Sequence, residues 1–166
     1  RRQAVTFVSR LNRFPVNGMK KVKNKMNIEK IMKSLCRIID ILPKRVPDNR
    51  SVSYSMVEQY YLSEQRLTEI RMKQADIIVR LSSYYYIQFS DNHGESFSDA
   101  AVPDIIERQI LNCVGTASLY IGIKSPECLI TLDGCDTYMT VYSSDVEFIE
   151  ILKQLAGSVG LFIWKA

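Results

Sequence analysis

Asp133-Gly134 sits between two apolar stretches, Cys128 to Leu132 and Cys135 to Tyr142. An Asp-Gly pair flanked by such runs is the strongest short-range hairpin signal a sequence carries. It commits this part of the chain to neighbouring antiparallel strands, and so to a sheet that needs other elements to cover it. Those elements follow from the pattern around the hairpin. Tyr84 to Phe89 is aromatic and β-branched and reads as a strand. Pro103 opens a helix carrying Ile105, Ile106, Ile110, Leu111 and Val114, closed by Gly115. Ser118 to Ile123 is a strand with Ser125-Pro126-Glu127 as its turn. Ser144-Asp145-Val146-Glu147 has capping-box spacing and starts a helix over Phe148, Ile149, Leu152, Leu155 and Ala156, ended by Gly157. Leu161 to Trp164 reads as a buried final strand.

Ahead of Tyr84 the period is helical. Ile28, Ile31, Met32, Leu35, Ile38, Ile39 and Leu42 recur at helical spacing, with Asn27 as N-cap and Pro43 as stop. Residues 43–52 form a loop by composition. Ser55 to Glu58 again has capping-box spacing, and a periodic segment runs to about Ser82 through Met56, Tyr60, Leu67, Ile70, Ile77 and Leu81. Ser63 and Gln74 interrupt that track, which argues against a sustained coiled coil. An antiparallel pair of these two helices is the simplest way to bury both stripes. The expected fold class is therefore α+β. A mixed sheet of about five strands carries two packed helices and is preceded by two N-terminal helices. A split-βαβ sheet with one extra strand fits the order, as do other two-layer arrangements. The expected organisation is a basic arm over 1–26 and a single α+β domain over 27–166. Its helical part is 27–82 and its sheet part 84–166.

The 166 residues and the hydrophobic fraction of 46% suffice for one ordinary core. The net charge of +4 conceals a split: residues 1–45 carry +11 and residues 46–166 carry −7. A basic leader on an acidic body binds nucleic acid or an anionic surface, docks on an acidic partner, folds back on its own domain, or stays solvated. Lys20, Lys21, Lys23 and Lys25, with Arg10 and Arg13, are the residues expected to grip a partner or phosphates. The acid-free, Arg- and Lys-rich composition of residues 1–26 also resembles a mitochondrial targeting segment. The expected compartment is intracellular, cytoplasmic first and mitochondrial matrix second. No apolar run is long enough to span a bilayer.

Chemistry-bearing patterns are few. His93 is the only histidine, in a polar loop with Asp91 and Glu95. That loop is the one weak acid–base candidate, although Asn, Gly, Asp and Ser are what turns themselves require. The chain has no G-x-S-x-G, no P-loop and no G-x-G-x-x-G. Four cysteines form no CxxC and, with one histidine, make no zinc set. Cys128 and Cys135 flank the hairpin, where a cross-strand disulfide is one reading and buried free thiols are the preferred one. Asp133 and Asp136 bracket the hairpin tip with too few oxygen ligands for a cation site, so turn chemistry explains them. Alternation places Tyr84 and Tyr86 on one strand face, an arrangement that stacks bases in some nucleic-acid modules; sheet core with a partly exposed edge is preferred here. No catalytic residue, metal or cofactor is expected. The expectation is a non-enzymatic protein-binding module, with another protein as partner. The alternative is a nucleic-acid or ribonucleoprotein subunit acting through residues 1–45.

Overall fold

The computed structural model describes residues 26–100 and 102–166. The elements in chain order are α1 (Ile28–Ile31), β1 (Cys36–Asp40), a 3-10 turn at Asp48–Arg50, α2 (Ser51–Tyr61), α3 (Glu64–Leu81), β2 (Ile87–Ser90) and β3 (Ser98–Asp99). Then come α4 (Pro103–Leu111), β4 (Ser118–Lys124), β5 (Glu127–Asp133), β6 (Met139–Tyr142), α5 (Val146–Ser158) and β7 (Phe162–Lys165). The fold is α+β, but the sheet has seven strands instead of five and every pairing is antiparallel. Their order is β3-β2-β4-β5-β6-β1-β7.

The two unexpected strands explain the difference. β3 is a two-residue edge strand with no pattern to find. β1 occupies the segment expected to be the second half of a helix over 27–42. Its Ile38 and Ile39 are β-branched and fit a pleat as readily as a helix. The deciding factor is the slot between β6 and β7, where both edges of β1 are paired. Only α1 remains of that helix, capped by Asn27, whose side chain accepts from the Lys30 amide at 3.0 Å. The antiparallel helix pair therefore does not form. The later helix also divides: Ser63 is extended at ψ 142°, so α2 and α3 are separate. Ser55 lies inside α2 and caps nothing, because the helix already runs from Ser51.

One sheet face is covered by α3, α4 and α5, not by two helices. Strand residues pointing to it, such as Ile39, Phe89, Ile121, Ile130, Val141 and Met139, join Ile77, Ile78, Ile106, Ile110, Phe148 and Leu152 in the main core. The capping motif before α5 works one residue later than the spacing predicts, with Asp145 Oδ1 accepting from the Phe148 amide at 2.7 Å. The opposite face carries a second, smaller cluster in which Met26 and Ile31 cover Leu129, flanked by Ile28, Phe97, Tyr120 and Tyr142. β7 is a sheet edge, not a buried strand, with Phe162 46% exposed. No helix of the described residues is long and apolar enough to cross a membrane.

The hairpin pairs as expected, with Leu132 opposite Met139. Its turn is not the two-residue type: residues 134–138 make a longer loop, and Gly134 has no positive φ. That loop is organised by Arg71 of α3, whose side chain is completely buried. Nε donates to the Cys113 carbonyl at 3.1 Å and Nη1 to Gln74 Oε1 at 2.7 Å. Nη2 donates to the carbonyls of Asp133 at 2.7 Å and Asp136 at 2.8 Å. Gln74 in turn donates to the Thr137 carbonyl at 3.0 Å. One guanidinium thus ties α3, the end of α4 and the β5–β6 loop together, because its planar fork satisfies several acceptors at once. Gln74, an interruption of the apolar track in the sequence, is a buried partner in this network.

Candidate functional site

Lys20, Lys21, Lys23, Lys25, Arg10 and Arg13 lie outside the described residues. The weak acid–base candidates Asp91, His93 and Glu95 are all exposed. His93 and Gly94 both adopt positive φ, 56° and 83°. The turn is held by Ser90 Oγ accepting from the Gly94 amide at 3.0 Å and by Asn92 accepting from the Ser96 amide at 3.1 Å. The His93 ring stands edge-on to Tyr120 at 5.6 Å, beside a cleft of about 400 Å³ that includes Met26, Ile28 and Glu29. No hydrogen bond among the described residues joins His93 to Asp91 or Glu95. The loop geometry is that of a turn.

Tyr84 and Tyr86 do not form a stacking face on a strand. The strand starts at Ile87, and both tyrosines are exposed in the connection before it. Tyr85 instead packs edge-on against Phe148 at 5.3 Å. All four cysteines are free, with Cys128 buried and Cys135 exposed. Cys128 Sγ lies 3.1 Å from Ser143 Oγ, and burial pushes its thiol up to about 11, so it is a protonated core residue. No group of three His, Cys, Asp or Glu among the described residues is placed to hold a metal.

The structure assembles a cluster that the sequence did not suggest. Asp40 closes β1, while Tyr54 and Glu58 lie one helical turn apart on α2, and Asp136 and Tyr138 come from the β5–β6 loop. Tyr54 Oη donates to Glu58 Oε1 at 3.2 Å. Burial, then the charges of Glu58 and Asp40, push the Tyr54 hydroxyl up to about 12. Burial and Asp136 raise Tyr138 as well, and its hydroxyl donates to the Asp136 carboxylate. These tyrosines stay protonated near neutral pH and serve as donors, not bases. Asp40, Tyr54 and Trp164 also line a shallow cavity of about 250 Å³ with Lys44 and Arg45.

Asp40 is buried, and desolvation raises its carboxyl above the usual carboxylate range despite the amides of Ile41 and Leu42 that favour the charge. The pH dependence follows from linkage. Below the ordinary carboxylate range Asp40 is protonated in both folded and unfolded chains, and no penalty exists. As pH rises through the unfolded and then the raised folded value, the unfolded chain gives up its proton first, so stability falls. Asp40→Asn keeps the acceptor for Ile41 N and removes that fall. The variant should unfold at a higher urea midpoint than the native chain near pH ~7, and at the same midpoint near pH ~3, where both are neutral. Equal midpoints at both pH values contradict the burial penalty.

The remaining feature is α2 itself. None of its eleven residues is buried. Val52, Met56 and Tyr60 recur at i, i+4 and i+8 and are 76%, 68% and 55% exposed. The spacing places them on one helix face. Beside it Val57 lines a groove of about 280 Å³ with Leu42, Val46 and Tyr54. Arg66 lies 3.8 Å over the Tyr60 ring and holds it at the end of the stripe. In the sequence Met56 and Tyr60 share an apolar track with Leu67, Ile70, Ile77 and Leu81. Only the last four are buried, because the break at Ser63 turns α2 off the line of α3.

The fold thus defines an α+β protein with an all-antiparallel sheet, three helices on one face and an apolar helix stripe left in water. Compared with known protein families, with curated proteins and with solved structures, the chain matches none.

Proposed function

We propose that the chain is a non-enzymatic protein-binding module of the adaptor, assembly-subunit or small inhibitor/immunity type, and that α2 is the element it presents to another protein. The observation carrying this reading is the Val52, Met56, Tyr60 stripe. Single exposed apolar residues are ordinary. Three in register over two turns, on a helix that contributes nothing to the core, match the anchors of helix-mediated recognition. The polarised charge supports the same reading, since opposite fields speed encounter and disfavour wrong partners.

A photo-crosslinking residue at Met56, installed in the producing cells, should yield one discrete heteromeric adduct. That adduct should disappear on Val52→Ser with Tyr60→Ser. The double variant should retain stability to within about 0.5 kcal/mol, as expected for exposed positions. No adduct, or one indifferent to the two substitutions, overturns the reading.

The charge of +11 within residues 1–45 favours one alternative, a nucleic-acid-binding or ribonucleoprotein subunit. In that case binding to a duplex should weaken steeply with salt. Lys20, Lys21, Lys23 and Lys25 all changed to Glu should reduce the log–log salt slope by about three to four units. A flat salt dependence removes this alternative.

A further inference from the structure

The sheet face opposite the three helices is only partly covered. Strand register places Ser90, Tyr120, Thr131, Thr140, Ile38 and Trp164 in one row across six strands. On one side of this row Met26 and α1 cover Gly122 and Leu129. On the other lie Asp133, which pairs with Ser118 across the strands, and Asp40, with Glu58, Asp136 and the two raised tyrosines beyond them. Between these borders Tyr120, Thr131, Thr140, Ile38 and Trp164 are only half-buried. At the usual strand spacing the row is a trough about 24 Å long. About seven extended residues fill such a length.

We propose that this trough is the docking surface for the chain's own basic segment, residues 19–25, lying across the sheet with its lysines toward the acidic border. Three observations converge. The described chain begins at Met26, whose side chain sits on Gly122 at the edge of the trough, so the proposed segment is tethered directly to that edge. Residues 19–25 have the matching length and carry Lys20, Lys21, Lys23 and Lys25 with no acid. Residues 1–25 total +8 while the rest of the chain totals −4, so the attraction is between opposite charges on one molecule. A tethered segment gains effective concentration from its short connection, which compensates for weak individual contacts. The docking uses Glu58 of α2 but none of Val52, Met56 and Tyr60, so each reading can fail without the other.

The test uses the full chain with Cys36→Ser, leaving Cys135 as the exposed thiol to carry a nitroxide beside the acidic border. Amide resonances of residues 19–25 should lose most of their intensity at low salt and recover it near 1 M salt, where screening reaches about 3 Å. Asp133→Asn with Glu58→Gln, which preserve the acceptors for Ser118 and Tyr54, should restore the intensity at low salt while core amides such as Ile121 keep theirs. Sharp resonances for 19–25 in the labelled chain overturn the proposal. So does broadening that persists in high salt. Broadening found only between molecules, when an isotope-labelled chain is mixed with a nitroxide-labelled one, assigns the trough to a second copy and also overturns it.

Discussion

Arg71→Met should lower stability by about 3–5 kcal/mol, a large share of the ~5–15 kcal/mol that holds a domain folded. Two effects compete. Burying a guanidinium is unfavourable, and desolvation accordingly lowers its proton affinity. Replacing a buried ion pair by apolar residues is often neutral for that reason. Here, however, three of the four acceptors are main-chain carbonyls, of Cys113, Asp133 and Asp136, and no substitution removes them with the cation. Each unpaired buried acceptor costs about 1–3 kcal/mol. The loss therefore exceeds the relief. At about 2–4 °C per kcal/mol for a chain of this size, the melting temperature should fall by about 6–20 °C. Arg71→Lys should recover only a minor part, because an ammonium lacks the fork that reaches α4 and the β5–β6 loop together. Urea unfolding of the two variants decides this. An unchanged midpoint for Arg71→Met would mean that water replaces the guanidinium without loss.

Gly134→Ala should be nearly as damaging, at about 3 kcal/mol, the upper part of the usual overpacking range. A β-carbon at this position would lie 2.4 Å from the Val114 carbonyl carbon and 2.7 Å from the oxygens of Val114 and Gly115. These are backbone atoms and have no rotamer to move into. The Gly134 amide donates to the Ala117 carbonyl at 2.8 Å, which fixes the two loops at that separation. Gly157→Ala is the control. A β-carbon there meets nothing within 4 Å, and Gly157 lies inside α5. Helix propensity alone should then stabilise the chain by about 0.5–1 kcal/mol. Chemical denaturation of the pair should show opposite signs. If both shift the same way, close backbone approach is not what requires Gly134.

The contrast between these glycines shows how much of the molecule could be read from its residues. Asp133-Gly134 correctly marked a hairpin, because apolar runs on both sides demanded neighbouring strands. The reason for the glycine was different: a second loop, distant in sequence, presses against it. Helices α4 and α5 were legible from Pro103 and from the apolar spacing, since capping and amphipathicity act within a few residues. Ile38 and Ile39 carry a helical signal in the sequence yet sit in a strand, because two adjacent β-branched residues satisfy either period. The Tyr54, Glu58, Asp136 and Tyr138 cluster left no local signal, as its members come from elements that meet only in the folded chain. The exposure of Met56 and Tyr60 was equally hidden, since their spacing alone resembles a core stripe.

Local periodicity and charge therefore fixed the α+β class, the main strands after Ile87, the two later helices and the concentration of +11 in residues 1–45. These depend on interactions within a turn or two of chain, which sequence records directly. Tertiary packing alone decided that Cys36–Asp40 is a strand, that Arg71 is buried among carbonyls and that α2 faces water. Each of those outcomes depends on which distant backbone offers a free edge, an acceptor or a covering surface, and that competition is settled only when the whole sheet is assembled.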